Sequence, residues 1–127
     1  MVEIENQYSD EAAARWPEQY AQSQRNWSAL SPAEQQAHLD FGRATTANLA
    51  ALFTSGATPS DPEVQAQISN HYRWVDLWWQ PNRESYIGLG EMYVQDQRFA
   101  QNYETLATGL AAFVRDAMRL YAQANLT

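Results

Sequence analysis

Two helix-start signals constrain this chain more than any other feature. Ser31-Pro32-Ala33-Glu34 places a serine cap, a proline at the first helical position and a glutamate three residues after the cap. Ser60-Asp61-Pro62-Glu63 repeats the pattern and predicts a second capping box. Each opens a run with apolar residues every three to four positions. Phe41, Thr45, Leu49, Leu52 and Phe53 follow the first, ending at Ser55-Gly56. Val64, Ile68 and Val75 follow the second, ending near Trp79 before Gln80-Pro81. Asn82 is positioned to cap a further helix across Glu84 to Val94. A short turn or helix follows Asp96 through Tyr103, and a last helix carrying Leu106, Leu110, Phe113, Val114, Ala117 and Tyr121 reaches about Ala124. No stretch alternates apolar and polar residues as a half-buried strand does. The expected fold class is all-α, a compact helical bundle or globin-like stack.

The start of the chain is poorer in core-forming residues. The first 20 residues hold five acids against Arg15 alone. From Asp10, read as a cap, to Gln24 the residues favour a helix, but Pro17 removes a backbone donor and predicts a kink or two short pieces. This segment is expected to become ordered when something binds.

Composition narrows the functions. Fifteen acidic residues against eight basic ones, all arginine, leave a net charge of -7 at pH 7, the wrong sign for tracking phosphates. No apolar run is long enough for a membrane span, and the acidic start lacks a secretory signal. The absence of cysteine excludes disulfides, thiolate metal sites and thiol nucleophiles, and fits a cytoplasmic protein. No spaced cluster of metal ligands, nucleophile elbow or phosphate loop is present, so neither an enzyme nor a cofactor is expected.

The most informative stretch is His71-Tyr72-Arg73-Trp74-Val75-Asp76-Leu77-Trp78-Trp79. On a helix its apolar and aromatic residues cover an arc of about 160°, wider than the roughly 100° stripe that a surface helix buries. Such a face can touch a core on one flank and something else on the other. Two readings stay open: the rings are core, or they wall a pocket for a flat molecule. His71 points inward, either as a hydrogen-bonded core histidine or as the axial ligand of a haem globin. His38, beside Asp40, reads as exposed.

Further along, Gly88-Leu89-Gly90-Glu91-Met92-Tyr93-Val94 is followed by Asp96-Gln97-Arg98-Phe99, Tyr103 and Gly109-Leu110-Ala111-Ala112-Phe113-Val114-Arg115-Asp116-Ala117. Together with His71, Val75-Asp76 and Trp78-Trp79, and with Ala14-Arg15-Trp16 and Ser23-Gln24-Arg25, this order resembles the TipAS antibiotic-recognition domain. That domain is the effector part of thiostrepton-responsive MerR-type regulators. The resemblance implies a globin-like fold without haem that binds bulky, mostly apolar peptide antibiotics, with N-terminal helices that close as a mobile lid. Relatives bind thiopeptides or albicidin, as sensors or as sequestering resistance proteins.

On that resemblance, residues 1–127 form a single domain, with 1–28 as lid and 31–127 as helical core. Trp74, Trp78, His71, Tyr86, Tyr93, Phe99 and Tyr103 are expected to line the cleft, with Trp16 and Trp27 on the lid. Thiostrepton-binding members carry a cysteine just before the Gly88 motif, where this chain has Gln80-Pro81-Asn82, so covalent capture by a thiol is excluded. The few residues before the first helix suggest a stand-alone binder without a DNA-binding half. The expected function is non-covalent binding and sequestration of an antibiotic at roughly micromolar affinity or tighter, giving resistance or sensing. The expected partner is the drug itself, with no direct nucleic-acid or membrane contact. The alternative is an effector domain whose partner is a transcription regulator.

Overall fold

In a computed structural model, which describes residue 14 and residues 16–127, six helices account for nearly all regular structure among the described residues. They are α1 (Pro17–Ser28), α2 (Pro32–Thr54), α3 (Pro62–Trp78), α4 (Arg83–Gln95), α5 (Gln97–Glu104) and α6 (Leu110–Asn125). The fold is all-α, as the periodicity requires.

Local chemistry sets most boundaries. Ser31 and Glu34 form the full reciprocal capping box of α2. Asn82 caps α4, accepting from the Ser85 amide while the Ser85 hydroxyl accepts from the Asn82 amide. Asp96 caps α5 through the Arg98 amide. At α3 the predicted second box is absent. The cap is Asp61, whose carboxylate turns back to the Thr58 amide and hydroxyl, so Pro62 supplies the helix start without a side-chain cap. The last helix begins at Leu110, four residues later than its apolar set suggested, and Leu106 is left 53% exposed. Gly109, with φ of 92°, makes the turn that L-residues resist. The Glu104 carboxylate reaches across that turn to accept from the Gly109 and Ala111 amides. Pro17 stands at the first position of α1 and opens that helix rather than kinking it. Asp10 and the first half of the expected segment lie outside the described residues.

The core runs between α3, α4 and α6, filled by Val64, Ile68, Tyr86, Leu110, Val114 and Met118, with Leu49 entering from α2. Gly90 lets α4 approach the α6 backbone at Arg115, and Glu91 on α4 pairs with Arg119 on α6. Helix α1 is different: it buries no residue fully and packs chiefly on α3.

Candidate ligand-binding site

Helix α3 divides its broad aromatic face between two clusters. Val64, Ile68, His71 and Val75 turn to the core, while Trp74 and Trp78 occupy one flank. Tyr72, on the other flank, packs edge-on against Tyr86 and donates to the Pro81 carbonyl at 2.9 Å.

The inner cluster is a polar network. His71 is 4% exposed, with Nδ1 2.7 Å from the Tyr86 hydroxyl and Nε2 3.2 Å from the Tyr93 hydroxyl. Tyr86 and Tyr93 stand seven residues apart on α4, so they project from one face of the helix. Tyr103 joins from α5, its ring 5.3 Å from that of Tyr93. Burial lowers the His71 pKa to about 4 and raises the phenols of Tyr86 and Tyr103. The imidazole is therefore neutral at pH 7, donating through one nitrogen and accepting through the other. This is the hydrogen-bonded core histidine, and the haem reading fails because no ring nitrogen is left to ligate iron. Phe99 stacks on the far side of Tyr93, at 5.7 Å.

The outer cluster lies where α1 packs on α3. Trp74 and Trp78 meet edge to face at 4.4 Å. Trp27 from α1 lies 5.7 Å from Trp78. Between them sits His38 of α2, stacked parallel on Trp74 at 5.8 Å and edge-on to Trp78 at 4.8 Å. Contrary to its exposed reading, His38 is half-buried and its Nε2 donates to the Trp74 carbonyl at 3.0 Å. Desolvation lowers its pKa, opposed by that hydrogen bond. The sequence did carry a signal for it: on the wheel of α2, His38 falls about 20° from Thr45, in the middle of the apolar stripe.

Among the described residues, Asn26 Nδ2 donates to the Leu77 carbonyl at 2.7 Å and Gln35 Nε2 on α2 donates to the Trp27 carbonyl at 3.0 Å, tying α1 down. Trp16, just before α1, is 42% exposed. Two open surface depressions, one along Gly88, Glu91, Met92 and Gln95 and one on the face of α1 carrying Pro17, Ala21 and Arg25, do not reach either cluster.

Trp74 has one further peculiarity. Its Nε1 is buried without a hydrogen-bond partner among the described residues. The pyrrole edge lies against Gly42 of α2, where an added Cβ would overlap Nε1.

Of the nine expected site residues, the structure thus brings Trp27 of α1 together with Trp74 and Trp78 of α3. It places His71, Tyr86, Tyr93 and Tyr103 in the core network, Phe99 against that network, and Trp16 at the surface.

The described residues form an all-helical domain in which one lightly packed helix covers a ring cluster. The TipAS antibiotic-recognition domain pattern matches residues 8–121, and the chain belongs to that family. It is 31% identical over 117 residues to the HTH-type transcriptional activator TipA of Streptomyces coelicolor, covering 89% of this chain and 46% of TipA. It is 29% identical over 118 residues to the HTH-type transcriptional regulator SkgA of Caulobacter vibrioides, covering 91% of this chain and 45% of SkgA. The chain therefore spans about half the length of these curated relatives. Its structure is similar to that of TipAS from Streptomyces lividans in complex with nosiheptide, a thiopeptide antibiotic, with a TM-score of 0.79 and 28% identity over 94% of this chain and 85% of that one.

No helix among the described residues is long and apolar enough to cross a membrane. The resemblance motifs now have physical roles. Gly90, Glu91, Tyr93, Asp96 and Arg98 join α4 to its neighbours, and Gly109 to Ala117 builds the start of the core helix.

Proposed function

We propose that this chain binds a bulky, flat or macrocyclic peptide antibiotic without covalent chemistry, in the outer cluster, with α1 as the lid. The observation that carries this reading is the contrast in attachment. Trp74, Trp78 and His38 meet Trp27 at one place, yet the helix that carries Trp27 buries no residue fully and, among the described residues, is tied by the Asn26 and Gln35 side-chain hydrogen bonds. Undocking α1 exposes a wall of indoles without opening the core, which is how a lidded site admits a large ligand. Trp16 and Trp27 move with the lid. His71, Tyr86, Tyr93 and Tyr103 act as framework that orients α3, and Phe99 supports Tyr93. With no thiol in the chain, the ligand leaves unmodified.

The test is tryptophan fluorescence titrated with nosiheptide, with mass spectrometry of the recovered ligand. Saturable quenching at micromolar concentration or below, and an unchanged ligand mass, is the expected result. No saturable response to nosiheptide or albicidin overturns the reading. A second reading, an effector domain of a transcription regulator, is favoured by relatives that are HTH-type regulators roughly twice this length. Cells expressing this chain alone separate the two: protection from the bound antibiotic supports sequestration, and binding without protection supports sensing.

A further inference from the structure

We infer that the indole N–H of Trp74 is the hydrogen-bond donor that selects the ligand, so that the site takes molecules presenting an uncharged acceptor, a carbonyl oxygen or an azole nitrogen, on the edge of a flat ring. This rests on the binding reading above and specifies the chemistry of that same site.

Three observations lead to it. First, Trp74 Nε1 is the buried side-chain polar atom left without a partner among the described residues, although every other heteroatom in the two ring clusters has an available one or touches solvent. A buried unmatched donor is costly, and such groups concentrate where a ligand supplies the missing partner. Secondly, that donor belongs to the ring that joins the two clusters, stacked on His38, edge-on to Trp78 and 6.1 Å from His71. Thirdly, α2 carries Gly42 where the indole edge rests: a methyl group added there would stand within 3 Å of three indole atoms. A glycine inside a helix is unfavourable relative to alanine, and here it gives the ring a seat that a side chain would fill. Because the indole touches Gly42 rather than an acceptor, leaving that seat forfeits contact but no hydrogen bond. A ligand acceptor therefore gains the full bond when α1 lifts and the ring turns.

The charge preference follows from the neighbours. Trp78, His71 and neutral His38 border the ring, and none brings a fixed cation to hold an anion. The chain as a whole is acidic, which further disfavours anionic ligands.

The test uses the whole chain labelled with nitrogen-15 in its five indoles, the Trp74 signal being assigned by its loss in Trp74→Phe. The probes are nosiheptide and a shape-matched pair, benzothiazole and benzothiophene, which differ by one ring-nitrogen acceptor. We expect benzothiazole to bind about tenfold more tightly, with the Trp74 indole proton moving downfield on benzothiazole and on nosiheptide but not on benzothiophene. Equal affinity for the pair overturns the assignment, as does a stationary Trp74 signal while other indoles shift with nosiheptide; in that last case antibiotic binding itself survives. Discrimination between the pair with no response to nosiheptide upholds the donor and removes the peptide-antibiotic reading. If Trp74→Phe does not fold, assigning Trp16, Trp27, Trp78 and Trp79 through their single Phe variants leaves the Trp74 signal by elimination.

Discussion

Two histidines, His71 and His38, sit on adjacent helices among tryptophans and tyrosines, and they teach opposite lessons about aromatic-rich sequence. Around His71 both ring nitrogens meet tyrosine hydroxyls, Tyr86 is fully buried, and the residues come from α3, α4 and α5. Around His38 the rings are half-buried, one nitrogen meets a backbone carbonyl, and Trp74 keeps an unmatched donor. Ring content is alike in the two places, and hydrogen-bond accounting separates them. A satisfied network fixes geometry, whereas an under-satisfied one beneath a light helix has capacity left for a ligand.

The largest expected difference between the two is acid sensitivity. The His71 pKa in the fold is about 4, below the ordinary 6.5, so the unfolded chain takes up a proton that the folded chain refuses. Stability from this group is complete above about pH 6.5 and is lost as pH falls toward 4, by about 3 kcal/mol in all. Asp96 and Glu104, also held below their usual values by hydrogen bonds to Arg98 and to the Ala111 and Gly109 amides, add losses of the same sign at lower pH. Urea denaturation at pH 7, 5.5 and 4.5 should show the decline, and ring NMR should show His71 neutral well below pH 6, with His38 titrating nearer its ordinary range. A His71 midpoint near 6.5 would mean the inner network is wet and the distinction false.

Next in size is Tyr86→Phe. Removing the hydroxyl leaves His71 Nδ1 buried without its partner, and about 1–3 kcal/mol of stability should go with it. Ligand titrations on the folded variant should match the wild type, because the change lies in the framework. A variant of wild-type stability would show that the 2.7 Å contact contributes nothing.

How much of this was legible in the sequence depends on distance along the chain. Caps and punctuation acting over three or four residues, at Ser31, Asn82, Asp96 and Gly56, placed most helix ends correctly. At Asp61 the competing bonds to Thr58 were hidden, because an acidic residue can turn toward the preceding loop as readily as into its helix. The wheel of α3 put His71 inward, but its partners are tyrosines on α4, 15 and 22 residues away, which periodicity cannot pair. His38 was misjudged by weighing its neighbour Asp40 above its own position on the α2 stripe. The division of the tyrosines from the tryptophans needed packing, since both belong to the aromatic pattern.

Gly42→Ala probes the outer cluster from beneath. The new methyl would overlap the Trp74 pyrrole edge, an effect of about 1–3 kcal/mol partly offset by the roughly 1 kcal/mol that alanine gains in a helix. The net loss should be smaller than for Tyr86→Phe, and it should come with a changed tryptophan emission, since the indole must leave its seat. Unchanged emission with full stability would show that α2 simply shifts outward, and that the glycine seat is not what fixes the ring.

The smallest effect on the fold should be the most telling for the proposed lid. Asn26→Ala removes the Leu77 bond and with it one of the two side-chain ties of α1. A net hydrogen bond of about 1 kcal/mol shifts a docking equilibrium about fivefold. If α1 undocks separately from the core, the global unfolding midpoint stays put while amides in residues 17–28 exchange about fivefold faster, and those of α3, α4 and α6 are unchanged. If protection falls equally across α3 and α4, then α1 belongs to the same cooperative unit as His71, and the difference between the two clusters is one of packing alone. Bound nosiheptide should reverse the effect, because a ligand held between α1 and the indoles supplies contacts that the asparagine no longer makes.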